Sequence, residues 1–496
     1  MKTASNYNQY KLVLQKIADI KYASAVLQWD QETYLPKKGN DARGRQIATL
    51  NELAHQQITD EKLGDLLSEL ANTNGLSLTE KRNVQISLED YYKNKKLPSA
   101  FVRKLSEAVN KSFHAWIQAR KENNFVIFEK PLQQIIDLKK QEAEYLGYEY
   151  HPCNALMNDF DKGLTTKIVD KLFADLKNEL SSLLGKILAK PIVDSSFLCQ
   201  HFDKTAQWDT GIEILKRMGF NFDAGRQDIS EHPFTINFSS QDVRVTTRVD
   251  ENDFGNMLWS CIHEGGHALY EQGLPDVEYG LPLGEYCSLS IHESQSRLWE
   301  NFIGRGLPFW KYNYELLQQK FPLQFQSITV EHFYAAINKV QPSLIRTEAD
   351  EITYHFHVMI RYEIEKLLIE GTIKAKDIPS YWNELYKNYL GIKVPDDVSG
   401  CLQDVHWSHG SFGYFATYSI GSLYAAQFYE SIKNKHAGIE RDIAIGNYLK
   451  VSKWLQNKIY KHGKYFSSEE LCLNATGECL NSKYFLNYIT DKYLKN

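Results

Sequence analysis

The stretch SCIHEGGHALYEQG, from Ser260 to Gly273, holds two histidines four residues apart with a glutamate directly after the first. Residues i and i+4 share one face of a helix, so His263 and His267 point their imidazoles at one place, as a zinc ion requires. Glu264 stands about 100° further round and reaches a water there rather than the ion itself. Two histidine ligands plus a carboxylate in HExxH order are the parts of a zinc peptidase. The ion lowers the pKa of its water to about 7, and the carboxylate takes the proton as that water attacks a carbonyl. The bland alternative is two satisfied histidines on a buried helix. Gly265 and Gly266 add a clue, because each costs about 1 kcal/mol against Ala inside a helix. Two in succession mark a close approach to the backbone, by a neighbouring helix that carries a third ligand or by the substrate.

Zinc that does chemistry takes three protein ligands and leaves one position open. The longer HExxHxxGxxH pattern fails, since Tyr270 and Gly273 occupy its last two fixed positions. Cys261 is two residues from His263 and faces elsewhere. The remaining solution is a glutamate on a following helix. SLSIHESQSRLWENF reads as that helix and offers Glu293, 26 residues after His267. On spacing alone Glu285 and Glu300 stay open. His292 reads as a partner behind the ligands or as a core histidine.

The elements that must hold these residues are mostly helices. NYNQYKLVLQKIADIKYASAVLQWD, AWIQARKENNFVIFEKPLQQIIDLKKQEAEYLG and TTKIVDKLFADLKNELSSLLGKIL carry apolar residues at helical spacing, which reads as core packing. With 13 Pro and 28 Gly, few breakers interrupt them. One region differs. FTINF and VRVTTRV alternate and are joined through Ser239, Ser240, Gln241 and Asp242, a β-hairpin signal. A helix start follows, with Asn252 or Asp253 as its N-cap. The expected fold is mainly α, one large helical domain over residues 1–496 with a small β-sheet beside the metal helix.

Composition sets outer bounds. The 496 residues are 43% apolar with a net charge of −5, an ordinary globular balance that argues against general nucleic-acid or anionic-membrane binding. The start MKTASNYNQYKLVLQ has no apolar core of a secretory signal, and no apolar run suits a membrane span. The seven scattered cysteines form no CxxC pair and read as reduced, buried thiols of a cytoplasmic protein.

Six short motifs in order then make a resemblance. They are HPF (232–234), DVRVT (242–246), HEGGH (263–267), HESQ (292–295), IRTEAD (345–350) and GCLQDVHW (400–407). With LQWDQETYLPKKGNDARGRQIATL near the start and ATGECL near the end, the chain resembles the carboxypeptidase Taq family of zinc metallocarboxypeptidases over nearly its whole length. The resemblance implies zinc on His263, His267 and Glu293, with cobalt or manganese as substitutes, and Glu264 as general base. It implies release of single C-terminal residues with broad specificity, C-terminal Pro disfavoured. It also implies a helical fold with a small sheet beside a deep groove, a thermolysin-like site and a homodimer. Ala416, where relatives often carry Pro, and His409 depart from the usual pattern without touching a ligand.

An exopeptidase must also hold the substrate's free carboxylate. An arginine does this best, with Arg346 first and Arg244 second; pairing of Arg346 with Glu348 or Asp350 is the structural alternative. DVHWSHGSFGYFATYS offers His406, His409, Tyr414 and Tyr418 around the developing oxyanion, with His406 and Tyr418 favoured as catalytic donors. His232 is placed in the substrate groove beside the hairpin, whose edge can pair with an extended peptide. The IRTEAD acids are expected behind the zinc histidines. Two readings compete: an endopeptidase with the same zinc chemistry, and a binding protein with a closed structural metal site.

Overall fold

The computed structural model describes residues 2–495, without the side chains of Lys2 and Lys37, so Met1 and Asn496 of the expected single domain lie outside the described residues. The fold is mainly α-helical with one three-stranded sheet. The chain falls into two compact units that alternate along the sequence. The first takes Met1–Lys95, Val193–Ile337 and Tyr424–Leu480, and the second takes Lys96–Ile192, Asn338–Leu423 and Asn481–Asn496.

In the first unit the apolar stripe of the long N-terminal helix, Lys2–Thr33, buries Tyr7, Tyr10 and Ile17 against Leu63, Leu67, Leu70 and Val84. The sheet is β1 (Gly225–Ile229), β2 (Thr235–Ser239) and β3 (Asp242–Thr247), in the order β1-β3-β2. β2 and β3 are the expected hairpin, closed more tightly than expected, since Ser239 and Asp242 belong to the strands. β1 pairs parallel to β3 and was not legible in GRQDI, which lacks alternation. β2 is an edge strand. Val243 and Val245 turn inward onto Ala268 and Leu215.

The metal-motif helix, Phe254–Gln272, starts where Asp253 caps it by accepting from Gly255 N at 2.9 Å. Phe254, Met257, Leu258, Cys261, Ile262 and Ala268 are buried at helical spacing; each large side chain of this kind stabilises by about 1.5–3 kcal/mol. The return helix, Leu289–Arg297, is capped by Ser288 and passes without a break into a π-helix, Leu298–Gly304.

The second unit is built on Thr353–Glu370, a helix buried on nearly every face and stopped by Gly371 at φ 91°. The long apolar stripe expected over AWIQARKENNFVIFEKPLQQIIDLKKQEAEYLG is two helices, Ser99–Glu122 and Val126–Leu146. Asn123 breaks it in the left-handed conformation at φ 49°, which Asn tolerates better than most residues. Cys199 and Cys479 are exposed, a correction to the expectation that all seven cysteines are buried; both lie in short connecting segments. No described helix is long and apolar enough to cross a membrane.

Candidate metal centre and active site

The motif and return helices converge on one point. Glu293 Oε2 lies 3.8 Å from His263 Nε2 and 3.6 Å from His267 Nε2. A tetrahedral ion with bonds of about 2.0–2.2 Å needs its ligand atoms about 3.3–3.6 Å apart. Among the described residues this is the one group of three or more metal-binding side chains that could hold an ion. Glu285 is exposed and faces Lys464 instead.

Each of the three candidate ligands is held from behind. His263 Nδ1 meets Glu300 Oε2 at 2.8 Å, and His267 Nδ1 meets the His292 carbonyl at 3.0 Å. Both contacts leave Nε2 as the ligand atom. Arg297 donates to Glu293 Oε1 at 2.7 Å and to Glu300 Oε2 at 3.1 Å, so Glu293 Oε2, which accepts only a longer bond from Ser296 Oγ at 3.3 Å, is the oxygen that faces the two histidines. Glu300, a competitor for the ligand role on spacing, instead meets His263 from behind, on the ring nitrogen turned away from Glu293. Burial opposes its ionisation, but Arg297, His263 and Arg305 hold it far below the usual carboxylate range. This corrects the expectation for the IRTEAD acids. The histidine Nδ1 atoms are engaged by Glu300 and the His292 carbonyl, and Asp350 caps the helix Thr353–Glu370 through the N–H groups of Ile352 and Thr353.

Burial, with His292 and His263 close by, drives His267 well below its usual value, which favours the neutral imidazole that a metal ligand requires. Burial also favours neutral His263, but Glu293 and Glu300 pull it above the usual histidine value. Such pull toward positive charge suits a divalent cation. The donor set, its spacing and its supports fit zinc.

Gly265 and Gly266 are explained by what faces them. A Cβ on Gly266 would stand 2.6 Å from Ser296 Cα and 2.7 Å from the Gln295 carbonyl oxygen, on the helix that carries Glu293. A Cβ on Gly265 would meet Leu215 Cδ2 at 2.6 Å.

Glu264 is buried beside this triad. Its Oε2 accepts from Thr235 Oγ1, on β2, at 2.6 Å. Burial raises its carboxyl above the usual value, opposed by His263 and Thr235. Arg244, on β3, is committed to Asp242 through two contacts of 2.9 Å, with its guanidinium 4.4 Å from the Trp29 ring centroid. His232 is exposed on the turn entering β2.

The remaining candidates gather in the second unit. Arg346 donates from Nε and Nη2 to Asp404 Oδ1 at 2.9 and 2.7 Å, and Arg361 Nε donates to Asp404 Oδ2 at 2.5 Å. The carboxylate that holds Arg346 is thus Asp404, 58 residues away, rather than Asp350. Two guanidiniums share one carboxylate, which leaves an excess positive charge. Burial raises Asp404, yet Arg346, Arg361 and His406 hold it far below the usual range. His406 is lowered to about 3, by burial first and against the pull of Asp404. Its imidazole is therefore neutral, with Nε2 at 3.0 Å from Tyr418 Oη and Nδ1 buried without a hydrogen-bond partner among the described residues. Tyr414 packs edge-on to Tyr418, ring centroids 5.0 Å apart. His409 is exposed against Phe113, with centroids 4.8 Å apart. Reasoning from sequence missed Thr235, Asp404 and Arg361. Asp404 stands within GCLQDVHW, where spacing alone gives it no partner.

Residues 9–493 match the profile of the carboxypeptidase Taq (M32) metallopeptidases. Carboxypeptidase 1 of Bacillus subtilis is 38% identical over 97% of this chain and 96% of its own length. Thermostable carboxypeptidase 1 of Pyrococcus furiosus is 37% identical, with 97% of each chain covered. The crystal structure of an M32 carboxypeptidase from Deinococcus radiodurans superposes with a TM-score of 0.96 at 37% identity, covering 99% of both chains.

Proposed function

The chain belongs to the carboxypeptidase Taq (M32) metallopeptidase family, and we propose that it releases single C-terminal residues from peptides with zinc on His263, His267 and Glu293. It is a metallocarboxypeptidase, a peptide hydrolase. The observation that carries the site reading is the convergence of two Nε2 atoms and one carboxylate oxygen, each with its other polar atom already engaged.

When bound, the ion supplies Lewis-acid activation of water and of the scissile carbonyl. Glu264 supplies the proton path. Thr235 engages Oε2 and so leaves Oε1 to take a proton from the attacking water. The same carboxyl then gives that proton to the leaving amine. Its raised affinity for protons, a result of burial, suits this role.

Arg346 is proposed to receive the substrate's C-terminal carboxylate, supported by the excess positive charge of the Arg346–Asp404–Arg361 cluster. Arg244 is the second choice, because Asp242 already neutralises it. Neutral His406 and Tyr418 are proposed as donors to the oxyanion. His232, His409 and Tyr414 are proposed substrate contacts, and the edge of β2 is proposed to pair with the extended peptide. Main-chain pairing reads no side chains, which supports broad specificity. A disfavoured C-terminal Pro, use of cobalt or manganese, a cytoplasmic setting and a homodimer belong to the same proposal. So does the action of both units as one catalytic domain, a reading supported by a family match that spans them.

The test is release of the C-terminal residue from an N-blocked dipeptide and from its C-terminal amide, with and without chelator. Hydrolysis of the free acid alone, lost with chelator, is expected. Cleavage of the amide at a similar rate would favour an endopeptidase.

A further inference from the structure

Two side chains of β2 reach the motif helix. Thr235 donates to Glu264, and two residues on, Asn237 Nδ2 donates to Glu271 Oε2 at 2.7 Å. Residues two apart share one face of a strand, and residues seven apart share one face of a helix. The edge strand is therefore fastened to the metal helix at two points in register. The second point is unusual, because Glu271 is only 3% exposed and has no part in the chemistry above.

Its other oxygen leads to the metal site. Glu271 Oε1 meets His292 Nε2 at 2.8 Å. The His292 ring stacks on that of His267, with centroids 4.3 Å apart and planes 25° apart. The His292 carbonyl accepts from His267 Nδ1. One carboxylate thus joins the strand proposed to hold the peptide to a histidine proposed to hold the metal. Asn237 Nδ2 donates to one oxygen and, with the proton of His292 on Nε2, His292 donates to the other, a demand that two carboxylate oxygens meet and that a carboxamide, with one acceptor oxygen, does not.

We propose that Glu271 is a positioning residue that couples the register of the substrate strand, through Asn237, to the orientation of His267, through His292. The proposal rests on the metal and substrate-strand readings given above.

The experiment compares wild type, Asn237→Ala, Glu271→Gln and the double variant. It follows the rate of zinc loss to a chelator, the visible absorption of the cobalt-loaded protein, and KM and kcat on an N-blocked dipeptide. Asn237→Ala should raise KM about fivefold or more while zinc loss and the cobalt spectrum stay at wild type. Glu271→Gln should raise KM by a similar factor, speed zinc loss about tenfold and shift the cobalt spectrum. In the double variant KM should be no higher than in Glu271→Gln alone. Should Glu271→Gln fail to fold, Asn237→Ala tests the strand arm and His292→Asn the metal arm. Wild-type KM in the first, or wild-type zinc loss in the second, overturns the proposal. A Glu271→Gln protein that only melts earlier, with KM and zinc loss unchanged, also overturns it. A wild-type chain that takes up no divalent ion removes the metal reading itself, a distinct failure.

Discussion

Ser296 Cα lies 2.6 Å from where a Cβ on Gly266 would stand, so the absence of one methyl group sets how closely the Glu293 helix approaches the two histidines. Backbone cannot move aside as a side chain can. Gly266→Ala should push the return helix away, cost about 1–3 kcal/mol as overpacked cores do and weaken zinc binding. Gly265→Ala meets the ends of Leu215 and Met218, which can turn, and gains about 1 kcal/mol of helix propensity. It should leave the melting temperature and zinc affinity near wild type. Equal effects of the two variants on zinc affinity would contradict this account.

Glu300 holds His263 by its Nδ1 and is itself held by Arg297 and Arg305. Glu300→Gln removes the charge but keeps a similar shape. Zinc affinity, read by competition with a chromogenic chelator, should fall about 10–100-fold. An unchanged affinity would make the Glu300 contact incidental.

Tyr418→Phe keeps the ring that packs against the Arg346 guanidinium, 4.9 Å away, and removes only the hydroxyl. If Tyr418 serves the oxyanion, kcat should fall about 100-fold with zinc content and melting temperature retained. A kcat within threefold of wild type would assign that role elsewhere.

Glu365 is buried in the second unit, accepting from Trp407 Nε1 at 3.0 Å and from Gly413 N at 3.1 Å. Burial pushes its carboxyl from 4.5 up to about 8, against those two hydrogen bonds. The folded protein therefore keeps a proton that the unfolded chain gives up. The stability this supplies is full below about pH 4.5 and is lost as pH rises through about 8. The effect is on the order of a few kcal/mol, at about 1.4 kcal/mol per pH unit. Glu365→Gln should flatten the fall in stability between these pH values, at the expense of one accepted hydrogen bond. Parallel pH curves for the two proteins would rule the effect out.

Much of this was legible in the residues because it depends on local periods. The pairing of His263 with His267 follows from helical geometry, and the hairpin from alternation. The doubled glycine signalled a close neighbour; at Gly266 that neighbour is the helix of Glu293, and at Gly265 it is the side chains of Leu215 and Met218. What escaped depends on contacts between distant segments. Asp404 meets Arg346 across 58 residues, and Thr235 meets Glu264 across 29. Spacing offered Glu300 as a ligand, but the π-helix that follows Arg297 departs from ordinary helical register, and Glu300 meets His263 from the Nδ1 side. β1 carries no alternating pattern and forms because β3 offers it a partner.

The central claim is that three side chains hold the ion while Glu264 only moves protons. Glu264→Gln separates the two, since the amide keeps the shape and loses the base. Metal analysis of the purified variant should find one divalent ion per chain, as in wild type, with kcat/KM lower by about 10²–10⁴. Loss of the ion would make Glu264 a ligand. Retention of wild-type turnover would give the proton transfer to another group. Either result would contradict the account.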